Sequence, residues 1–274
     1  KQLDFNKVEH IYEKAIGRCS VYISIILAFL LFAGFTEPSE DLDGRDTIIG
    51  LRDAIWCSRY VGFLLLPIII EFVRYRKITI IQTIGSICAL YIMIKSGSRG
   101  PLFSLLITVI VLELPQMKLR YKVITLLLVL IMYQAFSAFS SRMTSESTYY
   151  SNMERLELLN TLWESKFDPL IGVGIGGFAK TVRGEDIYLY PHNIFAETYI
   201  EIGVIGVFLL SLLLIRLYKC KKNSIFFLYC FYFFVNAQVS GDIASNNYFF
   251  VFGTILLCME HSKNTKSQQI LNYR

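Results

Sequence analysis

Charged side chains are scarce: they make up 18% of the chain, where a water-soluble domain carries about a quarter. That deficit, beside 54% hydrophobic residues, excludes a soluble globular domain, a disordered chain and a collagen-like repeat. Histidine is nearly absent, with three copies, and no His/Cys cluster at ligand spacing suggests zinc. Cys19, Cys57, Cys88, Cys220, Cys230 and Cys258 lie in or beside apolar runs with no CxxC pair. They read as small hydrophobes, not as a disulfide framework. Neither internal repeats nor low-complexity tracts occur.

What the chain does have is a series of apolar runs, and about 20 helical residues cross the hydrocarbon of a bilayer. Eight such runs occur, at 19–35, 55–73, 78–94, 102–114, 123–139, 194–217, 225–239 and 248–259, the fourth, seventh and eighth being short. The expected fold is therefore an all-α integral membrane protein of about eight transmembrane helices. Residues 1–139 hold five spans and a cytoplasmic N-terminal segment, 140–193 a long outward loop, and 194–274 three spans and a cytoplasmic tail.

If all eight runs cross, alternate connections face the same side. One side then collects 17 of the 27 basic residues and 6 of the 22 acidic ones, net +11, leaving 10 basic and 16 acidic, net −6, on the other. Lysine and arginine accumulate on cytoplasmic loops, so both termini are expected in the cytoplasm. The polar stretch Lys1 to Arg18 is not expected to act as a cleavable leader. A start at Lys1 instead of Met is compatible with a piece of a longer membrane protein.

Three outward positions carry candidate chemistry. In Lys95-Ser96-Gly97-Ser98-Arg99-Gly100-Pro101, glycines and a proline reverse the chain and the serines can cap the next helix. Arg99 then sits at a helix N-terminus, unfavourable for a cation by itself, yet a guanidinium beside free helix amides makes an anion site suited to phosphate. The bland alternative is an arginine snorkelling to headgroups. Second, Ser151-Asn152-Met153-Glu154 is a capping box that opens an amphipathic helix over 152–166, whose apolar stripe is Leu156, Leu158, Leu159, Leu162 and Trp163. Arg155 falls near the middle of that stripe. Either its stem packs while its head reaches Glu154 or other acids, or it points into an anion-binding cavity; the cavity is favoured, because a desolvated lone charge is costly and marks function in membrane proteins. Third, Pro191-His192-Asn193 opens the sixth span, with Asn193, Glu197 and Glu201 four residues apart on one face. His192, in the first turn of that helix, is expected to be held neutral by the helix dipole and able to accept a proton. The alternative is a capping or interfacial histidine.

Two further patterns are set aside. Gly172-Val173-Gly174-Ile175-Gly176-Gly177 satisfies GxGxxG, but no βαβ unit surrounds it, and flexible packing of this loop against the membrane is the expectation. Asp41-Leu42-Asp43 lies in a loop already rich in acids and reads as a solvated surface. The outward basic residues are too few and scattered for nucleic acid.

Ser96 to Gly100 (SGSRG), then Arg155 followed by Pro169 to Phe178 (PLIGVGIGGF), then His192 to Gly206 (HNIFAETYIEIGVIG) stand in one order across the central half of the chain. In this ordered set the sequence resembles the O-antigen polymerase and ligase family of bacterial envelope proteins. The resemblance implies an inverting glycosyltransferase at the outer face of the cytoplasmic membrane, acting on a polyprenyl-diphosphate-linked oligosaccharide, with no cofactor and no essential metal. It implies roles in lipopolysaccharide or capsule synthesis and partnership with a chain-length regulator or other envelope-polysaccharide assembly proteins. Arg99 and Arg155 match its diphosphate-binding arginines, His192 its essential histidine and Glu201 its ExG element. Arg99, Arg155 and His192 are accordingly the expected catalytic residues, with Ser98, Asn193 and Glu201 joining the two arginines in substrate binding. A polymerase is favoured because Arg45, Arg52 and Arg59 offer a place for a second lipid diphosphate. Alternatives are ligase-type transfer to a lipid core or protein, and, in another class, a transporter or flippase of lipid-linked sugar.

Overall fold

The structure, a computed structural model, describes residues 5–38, 46–48, 54–75, 78–113, 118–119, 122–123, 153, 158, 160, 167–184, 190–220, 224–239, 241 and 243–272. The chain divides into two compact units, Lys1–Met143 and Thr144–Arg274.

The first unit is built around one buried helix. Helices α1 (Phe5–Phe32), α2 (Ala54–Tyr75), α3 (Ile80–Lys95) and α4 (Arg99–Thr108) follow in order, α4 running into a π-helical turn over Val109–Glu113. Helix α2 is buried along most of its length, and α1, α3 and α4 all pack on it. Its interior Pro67 removes one backbone donor, which the surrounding helices tolerate in a membrane protein. Helix α1 also lies close on α3, because Gly85 has no side chain: a Cβ there would meet Val21 at 3.0–3.3 Å. Thr79 and Gln82 form a reciprocal capping box at the start of α3. Gln82 Nε2 in turn donates to Glu71 Oε2 at 2.6 Å, tying that first turn to the last turns of α2.

Between α1 and α2 lies a departure from the all-α expectation. Thr36–Pro38 (β1) and Asp46–Ile48 (β2) pair as an antiparallel hairpin, with Glu37 opposite Thr47. Threonine and isoleucine favour extended backbone, and a connection with no apolar helical period has no reason to coil.

The second unit contains α5 (Phe178–Arg183), α6 (Ile194–Tyr218), α7 (Ile225–Asn236) and α8 (Asn247–Asn272). Nearly every residue of α7 is buried, and it meets α8 through rings. Phe252 stacks on Phe233 at 5.9 Å and lies 5.0 Å from Tyr229, while Phe234 faces Phe249 at 5.5 Å. Such offset pairs add to the burial of their area.

Three helices are long and apolar enough to cross a membrane, over Lys14–Phe32, Ala54–Arg74 and Ile194–Tyr218; Ile80–Lys95, Arg99–Leu112 and Ile225–Asn236 are shorter apolar helices. The fifth expected span, 123–139, lies almost wholly outside the described residues. The sixth is not one continuous helix: Gly203, at φ 74° and ψ −165°, interrupts α6. No disulfide joins any of the six cysteines.

Candidate functional site

The expected site residues fall in both units. In the first, Ser96, Gly97 and Ser98 connect α3 to α4, and Gly97 takes the left-handed conformation (φ 62°) that the reversal needs. Of the two serines expected to cap α4, Ser98 stands at the N-cap position, buried, but its hydroxyl makes no capping hydrogen bond. Arg99 is the first residue of the helix and half-buried. Pro101 sits in the same first turn, where its missing N–H has no intrahelical acceptor to lose. The first turn of α4 therefore combines a guanidinium with backbone amides outside the helical ladder. In α2, Arg59 is fully buried, its guanidinium carbon 5.0 Å from the ring centroid of Trp56. Arg45 and Arg52 lie outside the described residues, as do Asp41 and Asp43. Among the described residues no three His, Cys, Asp or Glu side chains gather as metal ligands.

In the second unit the turn before α6 differs from expectation by two positions. Asn193 is the N-cap, its Oδ1 accepting from the N–H groups of Phe195 and Ala196 at 3.0 and 3.1 Å. His192 thus precedes the helix and is not part of its first turn. It is held at φ 56°, the one non-glycine residue with positive φ among those described. Its ring packs edge-on against Tyr190, centroids 4.5 Å apart, and Nδ1 is buried. A histidine in that conformation costs energy that the surroundings must supply. Here the Asn193 cap fixes the following residue, and Pro191, itself buried, confines His192 from the other side only through its own rigid φ.

Glu197 and Glu201 are both buried. Glu197 Oε1 accepts from the Ile243 N–H at 3.0 Å. The Ile194 N–H donates to the Ala237 carbonyl at 2.9 Å, and Asn193 Nδ2 to Gln238 Oε1 at 3.4 Å. Ala237, Gln238 and Ile243, in the polar connection after α7, are thereby latched to the first turn of α6. Sequence reading missed this contribution. Its signal was present: a run containing Asn236, Gln238, Ser240, Gly241, Asp242, Ser245 and Asn246 between two aromatic-rich helices.

The glycine-rich loop is not the flexible packing that the sequence suggested. In an unbroken helix the carbonyls of Ile200 and Glu201 would accept from the N–H groups of Val204 and Ile205. The break at Gly203 parts both pairs, and the loop replaces them. Val173 and Gly174 donate to the Ile200 and Glu201 carbonyls at 2.8 and 2.9 Å, while Val204 and Ile205 donate to the carbonyls of Pro169 and Leu170 at 2.9 and 3.4 Å. So close an approach requires bare backbone on both sides. A Cβ on Gly172 would lie 2.4 Å from the Ile200 oxygen, and one on Gly203 2.2 Å from that of Leu170. Both glycines also have positive φ. Loop and helix are thus locked together beside Glu201.

Arg155 lies outside the described residues. Of its helix, Met153, Leu158 and Asn160 are described, all with helical backbone. Leu158 is buried against Phe178 and Ile200, with Phe167 and Val173 around them, while Met153 and Asn160 are exposed. Of the expected apolar stripe, Leu158 is thus buried against α6, and Leu156, Leu159, Leu162 and Trp163 lie outside the described residues.

A family model described as O-antigen ligase matches residues 84–211. The match takes in Ser98, Arg99, Arg155, the glycine-rich loop, His192, Asn193 and Glu201. No curated protein and no solved structure matches the chain.

Proposed function

Because the chain belongs to the O-antigen polymerase and ligase family by the match of residues 84–211, and is thereby an O-antigen ligase- or polymerase-like membrane glycosyltransferase, we propose that it polymerises oligosaccharide repeat units carried on a polyprenyl diphosphate. The observation that carries this reading is His192: a strained, non-helical histidine stationed at the mouth of an apolar helix, inside the matched segment. Backbone strain of this kind persists where function holds it.

In the proposed reaction an acceptor sugar hydroxyl attacks the anomeric carbon of the donor from the face opposite the diphosphate. The bond between the anomeric carbon and the phosphate oxygen breaks with inversion at that carbon, and the lipid diphosphate leaves with the bonding pair. His192 takes the hydroxyl proton; with Nδ1 buried, Nε2 is the receiving atom. The leaving diphosphate gains negative charge in the transition state, so fixed guanidinium groups stabilise it selectively. Arg99, at the start of α4, and Arg155 are proposed for that role, with no metal required. Ser98, Asn193 and Glu201 complete the proposed binding set, Asn193 acting chiefly through the cap that orients His192.

The topology proposed with this chemistry is eight spans in the bacterial inner membrane, both termini cytoplasmic and 140–193 on the periplasmic side. Ligase-type transfer to a lipid core or protein would use the same residues with another acceptor. The interruption of α6 at Gly203 favours a second class, since transporters build sites at broken helices. Replacing Arg99 by Lys separates the two: a flippase would keep moving lipid-linked sugar, whereas bidentate diphosphate binding needs the guanidinium. The direct test incubates purified protein with a synthetic polyprenyl-diphosphate oligosaccharide in the presence of a chelator. Release of lipid diphosphate with lengthened glycan is expected; donor left unconsumed refutes the reading.

A further inference from the structure

We propose that the connection between α7 and α8, residues 237–246 with Asn247 at the head of α8, is the floor of a water-filled recess on the His192 side, and that this floor binds the acceptor as a neutral, hydroxyl-rich sugar chain. The inference rests on the transferase reading of His192 and adds the surface that its proton-giving substrate lies against.

Position is the first argument. Three hydrogen bonds join the connection to the start of α6: from the Ile194 N–H to the Ala237 carbonyl, from Asn193 Nδ2 to Gln238 Oε1, and from the Ile243 N–H to Glu197 Oε1. Asn193 is the cap beside His192. A hydroxyl that gives its proton to His192 must come within about 3 Å of the ring nitrogen. The sugar carrying that hydroxyl therefore meets the segments around this turn, and the connection is one of them.

Helix length is the second. Helix α7 has 12 residues, Ile225–Asn236, about 18 Å at 1.5 Å each, and follows Lys219, Lys221 and Lys222. In α8 no charge occurs from Asn247 to Met259, and Glu260 comes next; that stretch measures about 20 Å. Measured from the basic end, both helices stop about 10 Å short of the far side of a hydrocarbon layer about 30 Å thick, and tilt only shortens their reach. Irregular backbone at that depth is either buried in protein or lines water. Gly241 and Asn246 are buried, whereas Ala244 and Asn247 are exposed. An exposed amide side chain below the membrane surface faces water and not acyl chains.

Chemistry is the third. Between Asn236 and Tyr248 there is no Lys or Arg, and the polar side chains are amides, hydroxyls and one carboxylate. Such a surface offers no cation to a diphosphate. Sugar hydroxyls both donate and accept, and so do amides and serine hydroxyls. Exposed Asn247 and half-buried Ser245 are the groups that it presents.

The test uses full-length protein carrying Asn247→Cys in phosphatidylcholine vesicles, with modification at 247 read by peptide mass so that the native cysteines do not count. A small charged methanethiosulfonate is expected to modify the site quickly and a bulky polyethylene-glycol maleimide slowly. The oligosaccharide freed of its lipid diphosphate should slow the small reagent several-fold. Val251→Cys, one turn further along α8 and exposed in its apolar part, should resist the charged reagent. Equal reaction with the two reagents, or none with either, would overturn the recess; fast reaction that the oligosaccharide does not slow would overturn the acceptor site. Modification of Val251→Cys as fast as that of Asn247→Cys would overturn the recess together with the membrane burial of the two helices. Protection by the oligosaccharide without release of lipid diphosphate from the lipid-linked donor would sustain the site and remove the transferase reading, and release without protection would do the reverse. Ala244→Cys, also at an exposed position, repeats the measurement should Asn247→Cys fail to fold.

Discussion

The junction between the glycine-rich loop and the broken helix yields a comparison in which two chemically identical substitutions have different effects. Gly172→Ala and Gly174→Ala each put a methyl group on a residue with positive φ, 73° and 94°. An L-residue in the left-handed region costs about 1–2 kcal/mol, and that cost is common to both. Around Gly174 there is nothing within 4 Å of the new Cβ, whereas at Gly172 it would stand 2.4 Å from the Ile200 oxygen and 2.6 Å from that of Glu201. Those are backbone atoms, which cannot swing aside as the end of a side chain can. The loop must lift, and the hydrogen bonds from Val173 and Gly174 are lost with it. At about 0.5–1.5 kcal/mol each, Gly172→Ala should be about 1–3 kcal/mol worse than Gly174→Ala. For a chain of this length, the apparent melting temperature in detergent should fall by roughly 2–4 °C per kcal/mol beyond the Gly174→Ala value. Limited proteolysis between 169 and 177 should accelerate in the same order. Equal melting temperatures and equal cleavage rates would refute the docked geometry.

Three further outcomes are expected. Asparagine tolerates positive φ better than most residues, so His192→Asn should leave the melting temperature nearly unchanged while turnover falls by about 10²–10⁴, the usual range for a lost general base; an equal loss in donor binding, measured by retention of labelled donor, would count against the base role. Arg99→Lys keeps the charge but not the planar fork, and loss of one charge-assisted hydrogen bond at about 1.5–3 kcal/mol should lower turnover by about 10- to 150-fold, read from lipid diphosphate released per minute. Glu197→Ala strands the partly buried Ile243 amide at a cost of up to about 1–3 kcal/mol, while Glu197→Gln keeps an acceptor there; thermal unfolding should separate the two, and identical curves would dismiss the latch.

Much of the local organisation could be read without coordinates. The α3–α4 reversal was visible because glycine, serine and proline punctuate it between apolar runs, and Arg99 indeed heads the helix that follows. The buried Leu158 was marked by its place in a helical stripe. The start of α6 was misjudged because the residue before a cap looks, in sequence, like part of the first turn; only the two amides converging on Asn193 Oδ1 distinguish them. The polar turn after α7 was passed over for a different reason. Its partners are 45 and 46 residues away, and no local period points at them.

Composition and charge order alone determined that this chain is helical and apolar enough for a membrane, since transfer of side chains and backbone into hydrocarbon depends on short stretches considered one at a time. The interruption of α6 was decided only in three dimensions. A window of apolar residues containing Gly203 reads as one span, because a glycine by itself breaks nothing. What makes the break stable is a second segment, some thirty residues earlier, with glycine at the matching point and amides and carbonyls at the spacing that two lost helical hydrogen bonds leave open. Such complementarity belongs to a pair of segments, and neither carries it alone.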